Sequence, residues 1–286
     1  MSRDQRSDDN WALLHAAELA ASTSVPLAVV FCVVPDFLGA TWRQYAFMLA
    51  GLEEAEAALA KKNIPTFILL SGDPGKAVAK FCSAHSVSTV VCDFDPLREK
   101  REWKKKLATG FSGKIIEIDA HNIVPCRVAS QKLEFGAYTI RPKMTRMLPE
   151  FLDAFHPLKN HKTPWAGDAP ENDWKKIKTS IKADRTVMEA PGIEPGEKAA
   201  KRVLAGFIEH RLRLFHTKRN DPCADAVSGL SPYLHFGQLS AQRVALDIGV
   251  SDAPQDAKAA LLEELIVRRE LSDNFCFYNQ NYDNLN

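Results

Sequence analysis

The sequence has almost no net charge. Lys and Arg number 37 against 36 Asp and Glu, a balance of +1 over 286 residues. A uniformly basic coat for nucleic acid is thereby excluded, although local basic faces are not. No apolar run approaches the roughly 18 residues of a membrane-spanning helix. The opening MSRDQRSDDNW is polar and does not read as the apolar segment of a secretory leader. Metal signatures are missing as well. Cys32, Cys82, Cys92, Cys126, Cys223 and Cys276 show no CxxC spacing, and His85, His210, His216 and His235 lack a ligand-like neighbour one helical turn on. Cys32 and Cys92 lie inside apolar runs, so the simple reading is free buried thiols in a reducing compartment. No low-complexity segment occurs, and the 16 prolines and 14 glycines are dispersed, which argues against extensive disorder. The stretch Gly72-Asp73-Pro74-Gly75-Lys76 lacks the glycine spacing of a phosphate loop and the Ser or Thr after its Lys. It reads as a turn into a helix with proline at its start. Tryptophan is scarce and one-sided: all five precede residue 175.

The residues that are present describe a soluble-type globular chain, 45% apolar and 26% charged, with length for two domains. Its first half alternates short β-like runs with helical patterns. Strands are expected at Pro26–Val33, Thr66–Leu70, Ser88–Asp93 and Lys114–Ile118. Helices are expected at Asp9–Ala21, Thr41–Lys62, Pro74–Ala84 and Pro96–Ala108. Such alternation implies a parallel sheet with helices on its faces, and PLAVVFCV has the continuous apolar character of a strand buried on both sides. A helix so near the start is unusual for this class: either the fold begins with a helix or a first strand is missing. From Ala120 the pattern changes. His121–Arg141 is loop-like, Lys143–Phe155 helical, and His156–Pro195 a proline-rich linker that wraps the surface. Helical regions follow at Gly196–His216, Ser231–Ile248 and Gln255–Tyr278, with no strand alternation. The expected domains are 1–150, α/β; 151–195, linker; and 196–286, helical.

Positive charge collects at 98–106, with six Lys or Arg against two Glu, and at 196–219, with seven against two. Solvated helix faces or contact with a polyanion would both explain these runs.

Two stretches identify a family. Ser228-Gly229-Leu230-Ser231-Pro232-Tyr233-Leu234-His235-Phe236-Gly237-Gln238-Leu239-Ser240 resembles the flavin-binding signature of photolyases and cryptochromes. Residues 263–279, EELIVRRELSDNFCFYN, resemble the next helix of class II cyclobutane pyrimidine dimer photolyases. The opening MSRDQRSDDNWAL, the segment Asp119-Ala120-His121-Asn122-Ile123-Val124-Pro125 and Arg141-Pro142-Lys143 resemble further motifs of that class, so the likeness runs along nearly the whole chain.

The resemblance implies an α/β fold: an N-terminal Rossmann-like parallel-sheet domain, a linker and an incomplete all-helical FAD-binding domain. It implies light-driven repair of pyrimidine dimers in DNA, with excited reduced FAD giving an electron to a dimer flipped out of the duplex. FAD-binding positions carried over are Phe215, Arg219, Val227, Ser228, Gly229, Leu230 and Ser231. A diphosphate needs short polar side chains and outward N–H groups of the kind Ser228, Gly229 and Ser231 provide at a helix start, although simple helix capping by Ser fits these residues too. Phe215 departs from the family, which usually has a Tyr whose hydroxyl reaches the flavin phosphate; losing that bond costs on the order of 1 kcal/mol. Glu264 takes the role of the glutamate that contacts the dimer beside the flavin, stabilising charge on its carbonyl. An ordinary i,i+4 pair with Arg268 is the plain alternative. Arg268 and Arg269, with Glu264, are candidates for DNA or lesion contact.

An antenna chromophore of deazaflavin or folate type, a monomeric state and an intracellular location (nuclear in a eukaryote, cytoplasmic in a prokaryote) complete the expectation. A cryptochrome-like photoreceptor or a flavin-free DNA-binding remnant is the alternative function. Photolyases of this class are longer, so the resemblance also implies truncation at both ends. A first strand would be lost, together with the C-terminal part that completes the flavin cavity and supplies electron-passing tryptophans. Exposed apolar faces on the last helices and poor flavin retention would follow.

Overall fold

The computed structural model describes residues 1–167 and 172–284. The linker positions 168–171, Pro170 among them, and residues 285–286 of the helical region lie outside the described residues. Elements run in the order α1 (Trp11–Ser22), β1 (Val29–Val33), α2 (Trp42–Ala60), β2 (Thr66–Leu70), α3 (Pro74–Ala84), β3 (Thr89–Asp93), α4 (Arg98–Gly110) and β4 (Lys114–Ile118). Helices α5 (Cys126–Ala129), α6 (Ala137–Phe151) and α7 (Trp174–Ser180) follow. Next come α8 (Glu197–His210), α9 (Leu212–Lys218), α10 (Ser231–His235), α11 (Ala241–Val250) and α12 (Gln255–Leu262). A π-helical segment (Glu263–Arg268) then leads into α13 (Arg269–Tyr278).

Two compact units result. The first joins Met1–Ile118 to Pro157–Glu197; the second joins Asp119–His156 to Lys198–Asn286. The expected division differs in two places. Residues 119–150 pack in the helical unit, not the α/β one. The proline-rich stretch is no free linker: Ile177 and Ile181 are buried with Phe31, Val33, Tyr45, Leu49 and Leu52 in the core of the α/β unit. Apolar side chains three to four residues apart on α7 found a partner face on α2, which a count of prolines does not reveal.

In the α/β unit, β1 pairs in parallel with β2 from Val29–Thr66 to Val33–Leu70, and β3 pairs in parallel with β4 from Thr89–Lys114 to Asp93–Ile118. The four strands form two separate two-stranded ladders where one sheet was expected. The helix after GDPG is real: Asp73 accepts from the Lys76 amide at its N-cap, and Pro74 opens the first turn. The polar start of the chain is buried rather than solvated. Arg6 and Asp4 form an ion pair at 2.6 Å with almost no exposure, and Asn10 caps α1 through the Leu13 amide. Asp93 accepts from the amides of Ser2, Arg3 and Asp4 at 2.5, 2.8 and 3.3 Å. Glu197 accepts from the Ser7 amide and hydroxyl and the Asp8 amide.

In the helical unit, α6 begins six residues before the expected Lys143 and carries Pro142 and Pro149. Its Ala137, Ile140 and Met144 pack with Val124, Ala129 and Val267. The helical region expected at 231–248 holds two helices, α10 and α11, separated at 236–240. The Gln238 and Leu239 amides fold back onto the Tyr233 carbonyl, and Gly237 takes a φ of +65° that ends α10. Val250 and Phe275 are exposed on the later helices.

The cysteines are all free. Burial pushes the thiols of Cys32 and Cys92 up to about 11 and that of Cys126 up to about 12, so they stay protonated and inert.

Candidate functional site

The helical unit brings three of the carried-over residues together. Phe215, on α9, is buried and meets Phe207 edge-to-face with ring centroids 5.9 Å apart. Arg219, one turn on, lays its guanidinium 5.5 Å from the Phe215 ring centre and donates to the His216 carbonyl at 3.1 Å. Its other terminal nitrogen lies 3.9 Å from a carboxylate oxygen of Glu264. α9 packs on α12, which leads directly into the π-helical segment that bears Glu264.

The π-helix decides how the acidic pair is used. Its i→i+5 spacing places Glu263 one turn from Arg268, and Arg268 Nε lies 3.3 Å from Glu263. Arg141 reaches the same carboxylate with two bonds of 2.7 and 3.0 Å, which holds Glu263 below its usual carboxylate range, with the Arg141 hydrogen bond as the main cause. The i,i+4 pairing of Glu264 with Arg268 therefore does not form. Glu264 is left on the exposed side while Leu265, Ile266 and Val267 are buried. A π-turn inside an α-helix is a feature concentrated at functional sites.

The Ser228–Ser231 segment is a loop leading into a five-residue helix. That helix is too short for the aligned peptide dipoles expected of it. Donors remain: the Ser228 hydroxyl accepts from the Leu230 amide at 3.3 Å, and Ser231 is exposed. Gly229 has a φ of +71°, the left-handed region that explains a glycine. A Cβ there would meet only Val203 at 3.6 Å, so conformation and not close approach makes the demand. Leu230 is buried as the anchor of this loop, and Val227 is exposed. No hydrogen bond or ion pair ties this loop to Arg219 or Glu264 among the described residues. The donor set of hydroxyls, free loop backbone and one guanidinium fits a diphosphate group, while Phe215 offers it nothing polar.

Arg269 is not a free cation. Its guanidinium donates to the His121 carbonyl and to Asn122 Oδ1. It belongs to a network that the sequence patterns missed, in which the 119–125 motif interlocks with α13. Asn122 donates to Asp119 at 3.0 Å and Asp273 at 2.8 Å; the Ile123 amide donates to Glu270 at 2.7 Å; the Cys126 amide donates to Asp119 at 2.9 Å. Asn274 accepts from the Glu134 amide, and Tyr278 donates to the Ser130 carbonyl. Burial pushes Glu270 up to about 8 and raises Asp119, Arg269 and the donated hydrogen bonds opposing it only in part. The available signal was polar residues at 270, 273 and 274, an inward-facing helical spacing.

The basic runs are largely occupied. Lys104 pairs with Glu117, Lys106 with Asp73, and Lys100 lies over the Trp103 ring. In the second run, Arg211 pairs with Asp225 and Lys218 with Asp221. No helix of the described residues is long and apolar enough to cross a membrane.

A parallel α/β unit joined to a helical unit, with these motifs in the helical one, is the architecture of photolyases and cryptochromes. Solved structures confirm the fold: a Synechocystis sp. PCC6803 cryptochrome matches 98% of the chain at a TM-score of 0.75 and 17% identity, over 60% of its own length. A class III photolyase from Agrobacterium tumefaciens matches 98% at 0.75 and 20% identity, over 58% of its length. The DNA photolyase family model matches residues 1–163, and the chain belongs to that family. Curated relatives named deoxyribodipyrimidine photo-lyase match all of it, at 44% identity in Potorous tridactylus and 47% in Arabidopsis thaliana. The chain spans 54% and 60% of the length of these two relatives.

Proposed function

We propose that the chain carries the lesion-facing part of a class II cyclobutane pyrimidine dimer photolyase, which splits dimers in DNA by electron transfer from light-excited reduced FAD. The observation that carries this reading is Glu264: a carboxylate on a π-turn, exposed beside Arg219, with its apolar neighbours turned into the core. The names of the relatives, deoxyribodipyrimidine photo-lyase, support the substrate.

Phe215, Arg219 and the loop Val227, Ser228, Gly229, Leu230 and Ser231 would hold FAD. When bound, it supplies a light-absorbing one-electron donor. The chain's own residues do the rest. Arg219 and the Ser228 and Ser231 hydroxyls meet negative charge on the diphosphate. Leu230, buried, and Gly229, with its left-handed backbone, keep the loop in shape. Glu264 offers its carboxyl group to the carbonyl of a flipped-out pyrimidine, where charge accumulates as the ring opens. Arg268, exposed at the same turn, meets a DNA phosphate. Arg269 positions the 121–122 segment rather than DNA. A deazaflavin- or folate-type antenna, a monomeric state and an intracellular location belong to the same proposal.

The test is repair of a dimer-containing oligonucleotide under blue light by the reduced chain supplied with FAD. Dimer loss that depends on light and falls at least tenfold in Glu264→Gln, with flavin absorbance unchanged, supports the reading. Bound flavin without light-dependent repair would overturn it in favour of a photoreceptor. An absence of bound flavin would favour a DNA-binding remnant, the reading that the missing hydroxyl at Phe215 supports. A second absorption band on the purified chain would reveal the antenna.

A further inference from the structure

The π-turn that bears Glu264 is set by burial. Ala257, Leu261 and Leu265 are buried at steps of four, as are Glu270 and Asn274, but the step from Leu265 to Glu270 is five. One surplus residue has to be wound in between, and the Arg269 amide accordingly donates to the Glu264 carbonyl, five positions back. The insertion turns Leu265, Ile266 and Val267 inward together. Val267 packs against Ala137, Ile140 and Met144 of α6. The side chains of Glu263, Glu264 and Arg268 keep access to solvent.

Two carboxylates then compete for one guanidinium. Arg268 stands five residues after Glu263 and four after Glu264, within reach of either. It goes to Glu263, with Nε 3.3 Å from Oε1. The difference between the two glutamates is a residue 122 positions earlier in the chain. Arg141 emerges from α6 beside the buried Ile140 and sets its fork on Glu263, Nη2 to Oε1 at 2.7 Å and Nε to Oε2 at 3.0 Å. Both oxygens of Glu263 are thereby fixed, and the one nearest Arg268 is shared between the two arginines. Arg219 approaches Glu264 only to 3.9 Å, beyond hydrogen-bond reach.

We propose that Arg141 is a positioning residue for Glu264: by clamping Glu263 it keeps Arg268 away from Glu264, so that the Glu264 carboxyl stays available to the pyrimidine. What Glu264 does with that freedom rests on the photolyase reading; the clamp rests on the distances alone. An ion pair between Arg268 and Glu264 would leave a carboxylate that only accepts, with no proton to offer a pyrimidine carbonyl. Lysine replaces Arg141 only in part, because a single ammonium keeps the charge and loses the fork.

The test uses the whole chain and its Arg141→Met and Arg141→Lys variants. Cross-relaxation from the Arg268 Nε proton, followed by NMR, reports which glutamate it faces. The expected result is contact with the Glu263 side chain in the unaltered chain, moving to Glu264 in Arg141→Met and partly so in Arg141→Lys. Light-driven repair at saturating DNA should slow roughly tenfold in Arg141→Met with flavin absorbance unchanged, and Arg141→Lys should recover part of the rate. In an Arg268→Ala background, where the competing cation is gone, Arg141→Met should cost nothing further; a bond that merely stabilises the fold would cost the same in both backgrounds. Arg268 contacts that stay with Glu263 in Arg141→Met, or equal slowing in the two backgrounds, would overturn the proposal. Contacts that move as expected in a chain that repairs nothing would overturn the photolyase reading and leave the clamp standing.

Discussion

In the α/β unit, buried carboxylates hold the start of the chain. Asp93 and Glu197 each accept several hydrogen bonds from residues 2–8. In the helical unit, Asp119, Glu270 and Asp273 join two segments about 150 positions apart through Asn122 and the Ile123 amide. The device is shared, a carboxylate taking amide donors, but its surroundings are not. Asp93 lies beside a cavity at the end of a strand, whereas Glu270 sits in a closed cluster of like charges with one oxygen, Oε2, unpartnered. The carboxylate of the α/β unit therefore borders open space lined by apolar and charged side chains, and the helical unit has spare acidity. Its exposed surface carries the charges of chemical interest, Glu264 and Arg268, while Arg269 is spent on holding the 119–125 motif.

That contrast can be broken at its strongest point first. Asp93→Ala leaves the amides of Ser2, Arg3 and Asp4 without their acceptor and should destabilise the α/β unit by about 3 kcal/mol. Denaturant unfolding followed by Trp11 and Trp103 fluorescence measures it, and a loss under about 1 kcal/mol would mean that water replaces the carboxylate.

Next is acidity. Glu270 is raised to about 8 from 4.5 by burial, so its folded form binds a proton more tightly than its unfolded form. Its contribution to stability is complete below the unfolded value and is lost as pH rises toward about 8. The helical unit should thus weaken between pH 5 and pH 8, and Glu270→Gln should flatten that slope while keeping an acceptor for Ile123. Thermal melts across this range decide; an unchanged slope in the variant would place the titration elsewhere, at Asp119.

Smaller effects concern the candidate site. Phe215→Tyr supplies the missing hydroxyl and should tighten FAD binding by about 1 kcal/mol, several-fold, in a fluorescence titration. Unaltered affinity would show that the ring edge faces the apolar core beside Phe207. Smallest is Arg268→Ala, which should reduce the salt dependence of DNA binding by about one unit of slope, with Arg269→Ala acting through stability instead.

The alternation of strands and helices was legible because each strand is a short apolar run and α1, α2 and α3 have a cap or a proline start. Thr66–Leu70, Pro74–Ala84 and Lys114–Ile118 match the expected limits. The motifs around Ser228 and Glu264 were legible for a different reason, resemblance over a run of residues. Their internal geometry was not. Whether 263–268 winds as α or π depends on how α6, α11 and α12 crowd the segment, and that choice gives Glu263 to Arg141 and Arg268 and leaves Glu264 to Arg219.

By itself, then, the sequence determined the local elements, the family and the chemistry available at Phe215, Ser228, Gly229, Glu264 and Arg268, since these depend on residue type and near-neighbour spacing. Tertiary structure alone decided that residues 119–156 belong with the helices, that the prolyl stretch closes the α/β core through Ile177 and Ile181, and that the described strands pair as two ladders. Those outcomes rest on contacts between residues far apart in the chain, where burial and hydrogen bonding are settled by partners that no short window of sequence contains.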